Sequence, residues 1–354
     1  MRAAQPNCTN TKCSEYEAPL GCAPAGQWPA GFFVSGGECM ARVQAFSYAS
    51  AQPGKAVAAW LWLPRGSPKA IIQIVHGMCE YTNRYSTFCE ALCGRGFAVC
   101  GSDLLGHGQT ARLNRDPLGW FGARGQARTL VQDVHRMTAE ARRRLPGLPV
   151  VLVCHSMGSF VGRLCLALYP ADYAGAALLG TAGPRLDAVP GRWISAQVCR
   201  AAGARHVSPL LQGFFAGGRA LSPAGGPTGF DWVCGDRGAV RSFLSDPMCN
   251  FVYTAAAAED IFDLMDHCSR PQWYRAVPKD LPILLASGRD DPVGGWGRGV
   301  ERVFCALRRT GHTRVTLRLW PGARHELLHD FSRAAVFRCL LQWIQSVIDT
   351  TSKE

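Results

Sequence analysis

Four short apolar runs, each released into a turn containing glycine or histidine, constrain this chain more than any other feature. They are AIIQIVHG (Ala70–Gly77), LPVVLVCHS (Leu148–Ser156), AGAALLGTAG (Ala174–Gly183) and LPILLASG (Leu281–Gly288). Runs this apolar do not alternate, so each reads as a strand covered on both faces. FAVCGSDL (Phe97–Leu104) and TRVTLRLWPG (Thr313–Gly322) are further strand candidates. Helical periodicity fills the gaps over Asn83–Gly94, residues 124–144, MGSFVGRLCLALYP after Ser156, Arg298–Thr310 and FSRAAVFRCLLQWIQSVID near the end. Strand and helix in strict alternation predict an α/β fold, a mostly parallel central sheet with helices on both faces. Ahead of it, VQAFSYAS and AVAAWLWLP flank Gln52-Pro53-Gly54 and predict an antiparallel opening pair.

The alternation lapses over 184–275, where aromatic and small residues dominate. This segment is expected to be a mainly helical cap insertion over the carboxyl edge of the sheet, where open α/β sheets bind ligands. The expected organisation is a loosely ordered N-terminal extension (1–41), a core of 42–183 and 276–350, and the cap between them. Cys8, Cys13, Cys22 and Cys39 are irregularly spaced in the Pro/Gly-rich extension and form no C-x-x-C pair, which argues against a zinc site. With no basic-then-apolar leader, the 16 cysteines read as reduced thiols of a cytoplasmic protein. Cys89, Cys93, Cys165 and Cys339 fall in apolar segments, where a thiol acts as a small hydrophobe. No run of 18 apolar residues predicts a membrane span. The net charge is +12, carried by 33 arginines and five lysines scattered along the chain. No nucleic-acid module is visible, so the charge reads as a solvated basic surface that allows transient contact with anionic lipid.

The chemistry centres on VVLVCHSMGSFVG (Val150–Gly162). A buried strand, a sharp turn and a helix start would lift the Ser156 hydroxyl above the sheet. The N–H of Met157 would point into the same space, at a helix N-terminus that favours negative charge. His76-Gly77-Met78 leaves another buried strand and would aim the Met78 N–H there too, with His76 itself structural. Serine needs a base, and a base needs an orienting acid, following in the order Asp then His at the ends of the last two strands. LLASGRDDPV offers Asp290 and Asp291, and GARHELLHD offers His325, 34 residues beyond Asp291. Asp291, before Pro-Val, is the better orienter, and Asp290 reads as a solvated loop carboxylate. His107 comes too early, and His329 falls within the next helix.

Together QIVHGMCEYTNRYSTFCEALCGRGFAVCGSDLLGHGQT, VCHSMGSF, ASGRDDPVGG and PGARHELLHD resemble the monoacylglycerol-lipase-like, serine-aminopeptidase-like branch of the α/β-hydrolase superfamily, within it the bacterial lysophospholipase-type members. The resemblance covers residues 42–347, including FDWVCGD and FLSDPMCNF of the insertion. It implies the α/β-hydrolase fold, Ser156 as nucleophile, His325 as base, Asp291 as orienter, and the Met78 and Met157 N–H groups as oxyanion hole. It implies no metal and no organic cofactor.

One departure stands out. Cys154 occupies the first glycine position of G-x-S-x-G, beneath a strained turn. A small apolar side chain is expected to fit there with local repacking, and Cys154→Gly is expected to be at least as active. The expected function is hydrolysis of carboxylic esters of single-acyl lipids, lysophospholipid or monoacylglycerol, with PLLQGFFAGG (Pro209–Gly218) contributing an acyl tunnel or a membrane contact. Peptidase, thioesterase, C–C hydrolase or haloperoxidase activity stays open, since fold and triad do not fix substrate. A peptidase would need a carboxylate for the substrate amine, with Asp231, Asp236, Glu259 and Asp260 as candidates. A binding protein with an impaired turn is the remaining alternative.

Overall fold

The computed structural model describes residues 41–216, 226 and 228–351. The N-terminal extension, its four cysteines and the end of PLLQGFFAGG therefore lie outside the described residues. The chain opens with β1 (Arg42–Ala49) and β2 (Ala56–Leu63), paired antiparallel around the expected turn. It continues through β3 (Ile71–Val75), α1 (Ser86–Cys93), β4 (Ala98–Ser102), α2 (Gly108–Leu113), α3 (Ala127–Arg144), β5 (Val150–His155), α4 (Met157–Leu168) and β6 (Gly175–Leu179). Among the described residues five helices follow: α5 (Ala188–Ala202), α6 (Pro209–Ala216), α7 (Arg237–Ser245), α8 (Ala255–Ser269) and α9 (Pro271–Ala276). The chain then returns through β7 (Ile283–Gly288), α10 (Arg298–Arg309), β8 (Val315–Trp320) and α11 (Arg333–Thr351).

All eight strands form one sheet in the order β1-β2-β4-β3-β5-β6-β7-β8, parallel from β4 to β8. This is the α/β-hydrolase architecture that the strand pattern and the resemblance predicted. The buried runs are the central strands because their residues meet apolar layers on both faces. Along β5, Val150, Leu152 and Cys154 enter one core and Val151 and Val153 the other. Helices α3, α4 and α10 supply the first core with Leu130, Val134, Val161 and Val303; α1 and α11 supply the second with Phe88, Leu92, Phe337 and Leu340. Cys89, Cys93 and Cys165 are buried as expected, while Cys339 is only half-buried. Among the described residues no helix is long and apolar enough to cross a membrane.

From β3 the chain moves outward to β4 on one side, then returns to place β5 on the other. Val75 at the end of β3 pairs with Cys154 of β5. The loops after β3 and β5 therefore emerge side by side, at the kind of strand-order reversal where open α/β sheets bind ligands. The sequence turns carrying His76-Gly77-Met78 and Ser156-Met157 are those two loops.

The described part of the segment between β6 and β7 is mainly helical, as expected, and its last helices join the core. α8 packs on α4 and α5, and Ile261, Phe262 and Leu264 share the core of α3 and α4. Thr254 caps α8, accepting the Ala257 N–H, and the alanines that follow are fully buried. Arg163 of α4 is also buried, donating to the carbonyls of Ala182 and Cys268 beneath the Trp273 ring.

Candidate active site

Ser156 ends β5 and begins α4 with φ 51° and ψ −121°, a left-handed conformation that a non-glycine residue rarely adopts. The strain is held by structure on both sides. The Ser156 N–H donates to the Leu179 carbonyl of β6 at 2.9 Å, and the Ser159 hydroxyl donates to the Ser156 carbonyl at 2.6 Å. The result lifts Oγ off the sheet toward His325. His325 Nε2 lies 2.8 Å from Ser156 Oγ, and its Nδ1 lies 3.0 Å from Asp291 Oδ2. With a carboxylate facing Nδ1, the proton is assigned to that nitrogen and Nε2 is left to accept from the serine hydroxyl.

Asp291 is fully buried just past β7. Burial alone would raise its carboxyl, but His325, the Val293 N–H and the Ser287 hydroxyl outweigh it and hold the group below the usual carboxylate range. Asp290 is exposed, as its reading as a loop carboxylate anticipated. The structure thus brings Ser156, His325 and Asp291 into one hydrogen-bonded chain. Met157 is the first residue of α4, so its N–H has no intrahelical acceptor. Met78 lines the same cavity as Ser156 and His325. Between the two loops sits Gly77. A Cβ there would lie 2.9 Å from Ser156 Cβ and 2.7 Å from Glu80 Oε1, so only glycine lets the β3 loop come this close. His76 is structural: Nε2 accepts the Leu104 N–H at 2.9 Å, leaving Nδ1–H to donate to the Gly77 carbonyl.

Cys154 is solved by its neighbour. Its thiol is fully buried, and a Cβ built on Gly162, two turns into α4, would overlap Sγ. The space that a glycine at position 154 would provide is supplied instead by glycine at position 162. Burial pushes the Cys154 thiol well above its ordinary range, and the residue does not line the cavity. Cys154→Gly is expected to empty that space, costing about 1–2 kcal/mol from lost burial and glycine entropy. Thermal melting would show the lower midpoint, and hydrolysis normalised to folded protein should stay at or above wild type.

The residues missed by sequence reading lie behind the site. Glu80 is fully buried and accepts from the Gly77 N–H at 2.5 Å, Arg84 Nη1 at 2.9 Å and the Tyr85 hydroxyl at 2.9 Å. His155 Nδ1 meets the same carboxylate at 2.7 Å. Arg84 also grips Glu326 through two 2.8 Å bonds. Burial would raise Glu80, yet His155 and Arg84 hold it well below the ordinary range. Burial would lower His155, and Glu80 more than reverses that. The network ties the β3 loop, the residue before Ser156 and the residue after His325 into one unit.

A cavity of about 280 Å³ opens onto Ser156, His325 and Met78. Phe215, Phe230, Trp232 and Phe251 make much of its wall apolar. Of PLLQGFFAGG, Gln212 and Phe215 reach it. The four carboxylates considered for an amine do not line it. Asp231 accepts from Thr228, Asp236 caps α7, Glu259 pairs with Arg124, and Asp260 accepts from Gly125 and Ala127. Glu326 does line the cavity, but Arg84 occupies both its oxygens.

The family described as serine aminopeptidase, S33, matches residues 66–332, from the strand before the β3 loop to beyond His325. The chain belongs to this family of α/β-hydrolases. Within it, the chain is similar to the human monoglyceride lipase, 27% identical over 288 residues that cover 80% of this chain and 84% of that one. It is equally similar to the monoacylglycerol lipase of Mycolicibacterium smegmatis, 27% identical over 295 residues, 81% of this chain and 91% of the relative. Among solved structures, a thermostable carboxyl esterase of Bacillus coagulans, in complex with glycerol, superposes with a TM-score of 0.81 at 28% identity. That match covers 86% of this chain and 99% of the esterase. These relatives agree with the monoacylglycerol-lipase-like branch to which the four sequence blocks pointed.

Proposed function

We propose that the chain is a serine hydrolase that cleaves carboxylic esters of single-acyl lipids, of monoacylglycerol or lysophospholipid type. The observation that carries this reading is the Ser156–His325–Asp291 chain opening into an aromatic cavity. Ser156 Oγ attacks the ester carbonyl as its proton passes to His325 Nε2, and the Met78 and Met157 N–H groups receive the negative charge on oxygen. His325 returns the proton to the departing alcohol, leaving an acyl-Ser156 ester. A water then repeats the sequence, losing its proton to His325 and releasing the acid and free Ser156. Asp291 keeps the imidazole in the tautomer the first step needs. Two donors at the oxyanion position matter, because losing one costs about 2.7–4 kcal/mol of transition-state stabilisation.

Relatives named as monoglyceride lipases support a lipid ester as substrate. So do the apolar cavity wall, the pairing of Glu326 with Arg84, and the engagement elsewhere of Asp231, Asp236, Glu259 and Asp260. Leu186, just before α5, and Val189 and Trp193 within it are exposed and support transient contact with a lipid surface. A panel of monoacylglycerol, lysophosphatidylcholine, short p-nitrophenyl esters and aminoacyl amides tests the reading. The lipid esters should give the highest kcat/KM. A best rate on the amides would replace the lipid assignment with a peptidase one.

A further inference from the structure

A second cleft, of about 920 Å³, opens where α9 and the end of α8 face α10, and it shares no lining residue with the Ser156 cavity. Four guanidinium groups line it: Arg275 of α9 and Arg298, Arg302 and Arg309 of α10. Against them stands one lining carboxylate, Glu301, whose nearest cation is Arg289 at 3.8 Å, outside the cleft. Outside the cleft, Arg84, Arg124, Arg142, Arg192 and Arg270 each hold a carboxylate, while Arg128 and Arg338 hold none among the described residues, so what distinguishes the cleft is the number of arginines gathered around one opening. Among the described residues, none of the four cleft arginines has one within ion-pair reach.

Helix stability accounts for Arg275 and Arg309, which lie in the last turns of α9 and α10, but not for Arg298 and Arg302. Arg298 and Arg302 sit at the start of α10, where the helix dipole opposes positive charge. They are also four residues apart, close enough to repel. Arg298, Arg302 and Arg309 fall on one stripe of the helix, facing Arg275 across the opening. Arg163 is buried with no carboxylate partner among the described residues, bonded to the Cys268 carbonyl and lying 4.1 Å from the Trp273 ring. The residues next to those two, Ser269 and Tyr274, form part of the cleft wall. Tyr274 supplies an independent observation: it is 5% exposed, and its hydroxyl is buried with no hydrogen-bond partner. A buried donor left without an acceptor is costly unless something supplies one.

We infer that this cleft binds an organic phosphate through its dianionic phosphoryl group. Guanidinium forks match phosphate oxygens two at a time, and Arg298 and Arg302, one helical turn apart on the cleft wall, are spaced to hold one such group between them. The volume lies within the range of sites for small organic ligands, large for a bare ion. The same phosphomonoester chemistry is offered by a soluble metabolite and by the headgroup of phosphatidic acid. The site stands apart from the reaction at Ser156 and does not depend on it.

The test uses the full chain and two probes. Glycerol 3-phosphate is titrated calorimetrically, and flotation measures binding to phosphatidylcholine vesicles with and without phosphatidic acid, both at a salt concentration on the order of 50 mM. Three proteins are compared: wild type, Arg298→Ala/Arg302→Ala, and a charge-matched control, Arg128→Ala/Arg338→Ala, at exposed positions outside the cleft. Unchanged thermal midpoints verify folding. Saturable binding to either probe, weakened about tenfold or more in the cleft variant and retained in the control, is the expected result, and the probe that binds identifies the source. Absence of binding to both probes overturns the inference. So does equal binding by wild type and cleft variant, or an equal loss in the control, which would reduce the effect to net charge.

Discussion

Ser156→Ala is expected to lower kcat for ester hydrolysis by roughly 10⁴- to 10⁶-fold, with His325→Ala in the same range and the double variant no worse than either. The non-additivity follows from the geometry. Ser156 Oγ and His325 Nε2, 2.8 Å apart, form one proton-transfer unit, and each is idle without the other. Asp291→Asn should leave folding intact but favour the wrong tautomer of His325, since an amide at that position can offer N–H where the imidazole needs an acceptor. Steady-state kinetics on a p-nitrophenyl ester measure all four proteins. Thermal midpoints should move little for Ser156→Ala, because removing this hydroxyl leaves the backbone bonds around it in place. Turnover within tenfold of wild type for Ser156→Ala would remove the serine from the mechanism.

Glu80→Ala is expected to be the most destabilising single change near the site. It leaves the Gly77 N–H, the Tyr85 hydroxyl and part of the Arg84 charge buried and unpaired, and breaking a buried ion pair in this way costs about 3–5 kcal/mol. Chemical denaturation at several pH values measures it. The carboxyl is held low, so Glu80's share of stability is present above about pH 4.3 and is lost as pH falls through its folded value. His155 is held high, so its share is complete below about pH 6.5 and is lost as pH rises through its folded value. The pair therefore contributes most between those limits, and the gap between wild type and Glu80→Ala should be widest there. A gap that stays constant from pH 4 to 9 would mean that packing, not charge, accounts for the loss.

The sheet was legible because its central strands are apolar enough to have only one environment. Ser156 and Asp291 were legible for a related reason, since each follows such a strand; His325 follows the half-exposed edge strand β8, and the order of strand ends restricts the choice among nine histidines and two adjacent aspartates. α2 was not anticipated, since GQTARL is six residues with little periodicity and is held by its surroundings; Asp103 accepts the Gln109 N–H and Thr110 donates to the Asp103 carbonyl. Nothing in the sequence marks Glu80, Arg84 and Glu326, because their burial depends on a pairing between residues 242 apart. The expected repacking around Cys154 could not be located from sequence for a similar reason. Its compensation is a glycine eight residues later, on the facing side of α4, and no local rule connects the two. The cleft arginines were visible only as part of a scattered excess, until α9 and α10 brought four of them together.

The most direct measurement is covalent labelling with an alkyl fluorophosphonate, read by intact mass and peptide mapping. The phosphorus of the probe bonds to the activated serine oxygen as fluoride leaves. Wild type should gain one adduct, mapped to Ser156, while Ser156→Ala gains none and His325→Ala reacts far more slowly. A folded wild-type chain that stays unmodified, or an adduct on any other residue, would contradict the account.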